Sequence, residues 1–229
     1  SNIQWRDYRI QIRNHMKELI NATIETIKMT GYTLLFAYAF GLPLAIITNE
    51  TNNGGLYEHK IINLICNIVI GAGRSIPFAI MIIICLPVTR WLIGTGIGTT
   101  AVIVPLTIAA IPFVARIIES ALSKVDYWVI LAAKIDGAKK IKIIFKIKIR
   151  SQLPELVNGV GITSVAIIGY TTMAGVVGGG GLGNYAITKG LYHYSWSSVL
   201  YPTLIITAMV ILIQLVCGTI YKKMDWKKK

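Results

Sequence analysis

Long stretches without a charged side chain constrain this sequence more than any other feature. Residues 29–48 and 199–220 hold no Asp, Glu, Lys or Arg, and residues 156–188 hold none either. Residues 61–89 are interrupted only by Arg74, and residues 99–122 only by Arg116 and Glu119 near the end. A hydrocarbon core about 30 Å thick is crossed by about 20 apolar residues in a helix. The pattern therefore predicts an all-α integral membrane protein with five transmembrane helices, over residues 29–48, 61–89, 99–122, 156–188 and 199–220. The fourth stretch is too long for one crossing. Its first part is expected to span and its glycine-rich end, "GVVGGGGLGNYA", to form a loop or re-entrant turn.

Composition agrees with a chain whose solvent is largely lipid. Charged residues make up 14%, against about 25% in an ordinary soluble domain. The net charge of +13 is then a membrane property before it is a nucleic-acid one. Cations cluster outside spans, where they are retained on the cytoplasmic side and meet anionic lipid headgroups. Five spans put the termini on opposite sides, and Lys and Arg divide fourteen to seven between the two. The richer side holds residues 49–60, 123–155 and 221–229, so the loop 123–155 and the C-terminus are expected in the cytoplasm and the N-terminus outside. The chain divides into a charged segment 1–28, a transmembrane domain 29–220 and a basic tail 221–229. Trp5, Tyr8, Ile10, Ile12, Met16 and Leu19 alternate with charges, which fits an interfacial helix leading into the first span or a partly ordered tail. The start is charged and lacks the apolar core of a signal peptide, and its missing Met reads as a trimmed start.

Enzymatic chemistry finds little to stand on. Cys66, Cys85 and Cys217 lie in apolar runs without a CxxC pair, and His15, His59 and His193 are scattered. No metal site, no cofactor and no catalytic residue is expected. The glycine run is not a Walker A loop, because Asn184 follows Gly183 where Lys-Ser/Thr would be required. Any nucleotide would have to be bound by another chain.

Polar groups inside the spans are few. An unpaired cation in an apolar run is expensive, so Arg74 must face the bundle, a water-filled path or the interface. Arg116 and Glu119 stand three apart on one helix and can pair. The fourth span is dense in Gly, Ala, Ser and Thr, which suits close helix packing. Its set Tyr170, Thr171, Thr172 and Met173 equally suits a route for an amphipathic solute. In "LAAKIDGAKK", residues 131–140, Ala133 and Gly137 are four apart and so read as one helical face, with Ala132 beside them. Such a face permits close approach to a partner's groove, while a plain interfacial helix would also account for it. Lys139, Lys140, Lys142, Lys146 and Lys148 flank it, placed to meet lipid phosphates.

"LAAKIDGA" followed by "LPELVNG" resembles the cytoplasmic loop of binding-protein-dependent ABC importer permeases. "GRSIPF", "GTGIGTTAVIVPLTIAAIPFVARIIESAL" and "GYTTMAGVVGGGGLG" are similar, more narrowly, to the methionine importer permeases, over roughly residues 20–220. The resemblance implies a homodimer in a bacterial inner membrane, with a translocation path between subunits. It implies two copies of a cytoplasmic ATPase, docked on Leu131, Ala132, Ala133, Gly137 and Ala138 as a coupling helix. It also implies an extracellular or periplasmic substrate-binding protein or lipoprotein that delivers methionine. Arg74, Ser75, Tyr170, Thr172 and Met173 are the residues assigned to the path. Two positions depart from the family: Leu131 replaces an acidic residue, and Arg150 replaces a proline upstream of Pro154.

Other functions remain open on the sequence. The same machinery could carry another small amino acid or related compound. A secondary transporter or channel acting alone lacks a visible inverted repeat and ion-coupling residues. A membrane scaffold would have no use for the small-residue loop.

Overall fold

A computed structural model describes the backbone of residues 2–224 and the side chains of residues 13–224. The side chains of Trp5, Tyr8, Ile10 and Ile12, and residues 225–229 of the basic tail, lie outside the described residues. Among those described, the chain is helical with no strand. The order is α1 (Asn2–Thr51), α2 (Lys60–Ser75), α3 (Phe78–Ile93), α4 (Thr99–Leu122), α5 (Tyr127–Ile135), a turn α6 (Lys140–Lys142) running into a π-helical stretch (Ile143–Ile149), and α7 (Leu153–Val176). Then follow α8 (Gly181–Tyr185), a second π-helical stretch (Ala186–Leu191) and α9 (Trp196–Met224).

Four helical segments are long and apolar enough to cross a membrane: Arg13–Thr51, Thr99–Leu122, Leu153–Leu191 and Trp196–Met224. They leave wide apolar faces uncovered; the most apolar part of α9 has nothing buried inside the chain. Lipid or a second polypeptide must cover such faces. The expected continuous second span is instead broken. α2 and α3 have 16 residues each, about 24 Å apiece at 1.5 Å per residue, short of the hydrocarbon core. Counted together as one broken span they bring the number to five. The cause is Pro77: the residue before proline is pushed out of the α region, and Ile76 is extended (φ −80°, ψ 122°). The first span has no separate leading element, because α1 continues without a break from Asn2 to Thr51.

The chain forms two compact units whose boundaries fall inside the long helices. One holds Ser1–Thr33, Phe78–Leu106 and Ala166–Ile211. There the glycine run turns the chain after α7, with Gly178, Gly180 and Gly181 all near φ +77°, a conformation that costs glycine nothing. The side chains of α1 receive the turn: Gly181 N–H donates to Glu25 Oε2 (2.7 Å) and Leu182 N–H to Thr26 Oγ1 (2.9 Å). Ala22, Leu182 and Tyr185 are buried together, with Ile205, Ile206 and Met209 against them. The loop or re-entrant turn expected from the sequence is thus a turn followed by a short helix.

The other unit holds Leu34–Pro77, Thr107–Val165 and Leu212–Lys229. Its packing is organised on α4, approached closely by small residues. A Cβ on Gly41 would sit 2.9 Å from Val114 Cγ1, and one on Gly73 would sit 2.4 Å from Pro112 Cγ. Either contact would force the helices apart, which is why glycine stands there.

Candidate functional site: the loop, the path residues and a charged cavity

The loop 123–155 lies in the second unit and carries its own small core. Asp126 caps α5, its carboxylate accepting from Trp128 N–H at 3.0 Å, an arrangement worth about 1 kcal/mol. The helix ends at Ile135, earlier than the spacing of Ala133 and Gly137 implies. Gly137 lies beyond the cap at φ +73°. Its N–H donates to the Lys134 carbonyl (3.1 Å) and Ala138 N–H to the Ala133 carbonyl (3.0 Å), the paired bonds of a glycine-terminated helix. Gly137 is therefore required by backbone conformation, and it does not share a helical face with Ala133. Ala133 itself is buried within the chain against Leu56, Ile143 and Ile144, with Ala138 packed at the edge. Of the remaining expected contacts, Leu131 is half-buried and Ala132 exposed. What the loop presents outward is larger: Trp128 is 70% and Ile135 78% exposed, with Ile141 and Phe145 also out.

Lys148 does not stand out in solvent with Lys139, Lys140, Lys142 and Lys146. It is buried and ion-paired, with Nζ 2.6 Å from Glu50 Oε1 and 2.9 Å from Asn49 Oδ1. It is not free to meet lipid phosphates. Glu50 also accepts from Leu56 N–H through Oε2 (3.2 Å), and Asn49 Nδ2 donates to Ser123 Oγ (2.8 Å). This network ties the end of α1 to both the first residue of the loop and its π-helical part. Lys140 stands over the Tyr57 ring at 4.5 Å. Arg150 N–H bonds the Ile147 carbonyl, a bond that a proline at this position would lose.

The residues assigned to a path fall in different units. In the first, Tyr170 stacks on Phe78 with ring centroids 4.8 Å apart and planes 19° from parallel. Thr172 Oγ1 donates to the Gly169 carbonyl (2.7 Å), and its backbone lies so close to Gly183 that a Cβ there would be 2.5 Å from Thr172 Cα. Thr171 is buried and Met173 is 52% exposed. In the second unit, Arg74 and Ser75 end α2, both exposed, with Ser75 Oγ donating to the Gly71 carbonyl (2.8 Å). Arg74 opens on a cavity of about 360 Å³ that α4 and α7 also line. Arg116 pairs with Glu119 at 2.6 Å, as their spacing predicts. Lys124 and Glu155, also at this cavity, pair at 3.2 Å. Neither the Lys148 network nor this cavity was found from the sequence. The only available signal for the first was Glu50, an acid at the end of a charge-free span that needed a partner.

Comparison with known proteins defines the class. Residues 41–228 match the family described as binding-protein-dependent transport system inner membrane component. The chain is 40% identical over 207 residues to the "Probable D-methionine transport system permease protein MetI" of Vibrio cholerae, covering 90% of this chain and 92% of that one. It is 40% identical over 210 residues to the methionine import system permease protein MetP of Bacillus subtilis, covering 92% and 95%. Among solved structures, a chain of the inward-facing MetNI methionine ABC transporter superposes with a TM-score of 0.90 at 33% identity, covering 92% of this chain and 97% of that one. The chain belongs to the binding-protein-dependent transport system inner membrane component family. It is a multi-pass membrane transport subunit, with the all-helical fold of an importer permease.

Proposed function

We propose that this chain is the permease subunit of an ATP-driven importer for methionine, in its L and D forms. It works as a homodimer with the translocation path between subunits. Two copies of a cytoplasmic ATPase bind the loop 123–155, and an external substrate-binding protein supplies the cargo. The observation that carries the reading is the superposition on the MetNI permease chain over nearly the full length of both. The relatives from two bacteria, both with methionine in their names, support the cargo.

The loop geometry supports ATPase docking through α5 and the turn after it, although not through a small-residue face. Trp128 and Ile135 are apolar, exposed and held on a capped helix whose other side is anchored on Ile143 and Ile144. A partner gripping such a helix would move the end of α1 with it, because α5 packs on the π-helical stretch that Lys148 ties to Glu50. Alternating access then becomes a shift between two packed arrangements. Tyr170, Thr172 and Met173 line the path, and the exposure of Met173 fits a side chain that completes its surroundings with a second subunit. The cation asymmetry supports a cytoplasmic loop and C-terminus. The test is purification of the tagged chain from native membranes: an ATPase should accompany it in equal amount. Recovery of a homodimer without any ATPase, under conditions where the chain still transports, would favour a transporter acting alone.

A further inference from the structure

The cavity beside Arg74 has a lining that matches one class of solute. α2 contributes Arg74; α4 contributes Phe113 and Arg116, and the turn after it Lys124; α7 contributes Glu155 and Ile162. Its volume, about 360 Å³, falls at the lower end of small-molecule sites, about 300–1,000 Å³. Arg116 and Lys124 are committed to Glu119 and Glu155. Arg74 has no partner among the described residues. An unpartnered guanidinium in an apolar run needs water or an anion, and its flat fork of donors fits a carboxylate by two parallel bonds.

The opposite charge is also present. Glu155 takes Lys124 on Oε2 and the Tyr221 hydroxyl, at 3.4 Å, on Oε1. Each carboxylate oxygen keeps a further lone pair for an ammonium. Phe113 and Ile162 supply apolar wall between these polar groups. A phosphate would meet the repulsion of Glu155, whereas an ammonium beside a carboxylate would not. We propose that this cavity is a cargo site for a small apolar α-amino acid bound as its zwitterion, carboxylate on Arg74, ammonium on Glu155 and side chain on Phe113 and Ile162. The assignment rests on the importer reading above and adds to it the residues that recognise the cargo.

A diazirine analogue of methionine, photolysed on the detergent-solubilised permease–ATPase complex, tests it. Label should map to the peptides around Phe113 and Ile162. Methionine should protect, while methioninol, which lacks the carboxylate, and N-acetylmethionine, which lacks the ammonium, should protect poorly. Arg74→Gln should reduce labelling about ten- to a hundredfold, the loss expected for a charge-assisted bond, and Arg74→Lys should restore part of it. Glu155→Gln should make N-acetylmethionine as good a competitor as methionine. Label confined to other peptides would overturn the assignment. So would unchanged labelling in Arg74→Gln, or protection by glycerol phosphate and not by methionine, which would mark a lipid headgroup site. ATP-driven uptake by the unaltered complex separates the two levels. If methionine is taken up while labelling behaves in any of these contrary ways, only the site falls. If methionine is not taken up at all, the importer reading falls and the site with it.

Discussion

Lys148 is the residue on which the loop's attachment turns. Removing one partner of a buried ion pair leaves the other charge stranded, at a cost of about 3–5 kcal/mol. Lys148→Met should therefore lower the melting temperature of the purified protein sharply. Adding Glu50→Leu to it should recover much of the loss, since no charge is then left buried. If Lys148→Met melts like the unaltered protein, the pair is not the anchor described. Gly137 makes a different demand. A side chain there meets no atom within 4 Å, but the backbone sits at φ +73°. Gly137→Asn should cost little and Gly137→Val clearly more, because asparagine tolerates the left-handed conformation and a β-branched residue does not. Equal melting temperatures for the two would contradict a conformational role. These two residues also show the reach of the sequence. Gly137 stands out in the sequence, but its spacing from Ala133 suits a helical face as well as a helix stop, and only the backbone conformation separates the two. Lys148 was indistinguishable from its neighbours, since its partner lies 98 positions away.

Among elements, α5 has two sides with opposite expectations. Ile135 makes the outer side and is almost free of its own chain. Ile135→Glu should leave folding and membrane insertion intact but release the ATPase during purification. Ala133 faces inward, so Ala133→Leu should overpack the cluster with Leu56, Ile143 and Ile144, costing about 1–3 kcal/mol. Retention of the ATPase by Ile135→Glu at the unaltered level would show that docking uses some other surface. The helices themselves were legible because uncharged runs of about 20 residues leave a chain few alternatives in lipid. The break at Ile76–Pro77 was not, although proline marks it, because prolines 43, 87 and 202 sit inside helices that continue. Whether a proline breaks or only bends a membrane helix depends on what neighbouring segments supply to its freed carbonyls.

The whole molecule is bound together by its place in the membrane. On the proposed topology, the fourteen-to-seven division of cations puts residues 123–155 inside and 177–198 outside. Single cysteines at Lys142 and Tyr192, both exposed, in a chain freed of Cys66, Cys85 and Cys217, should react with an impermeant reagent from opposite sides. Reaction of both from outside would contradict the five-span arrangement. The central claim, that this is the membrane path of a methionine importer, is tested most directly by reconstitution. The chain, its ATPase and its binding protein are placed in sealed vesicles, and labelled methionine is supplied on the binding-protein side. The account predicts accumulation that requires ATP on the ATPase side and that unlabelled L- and D-methionine both suppress. ATP-independent uptake, or ATP-driven uptake of another solute with which methionine does not compete, would contradict it.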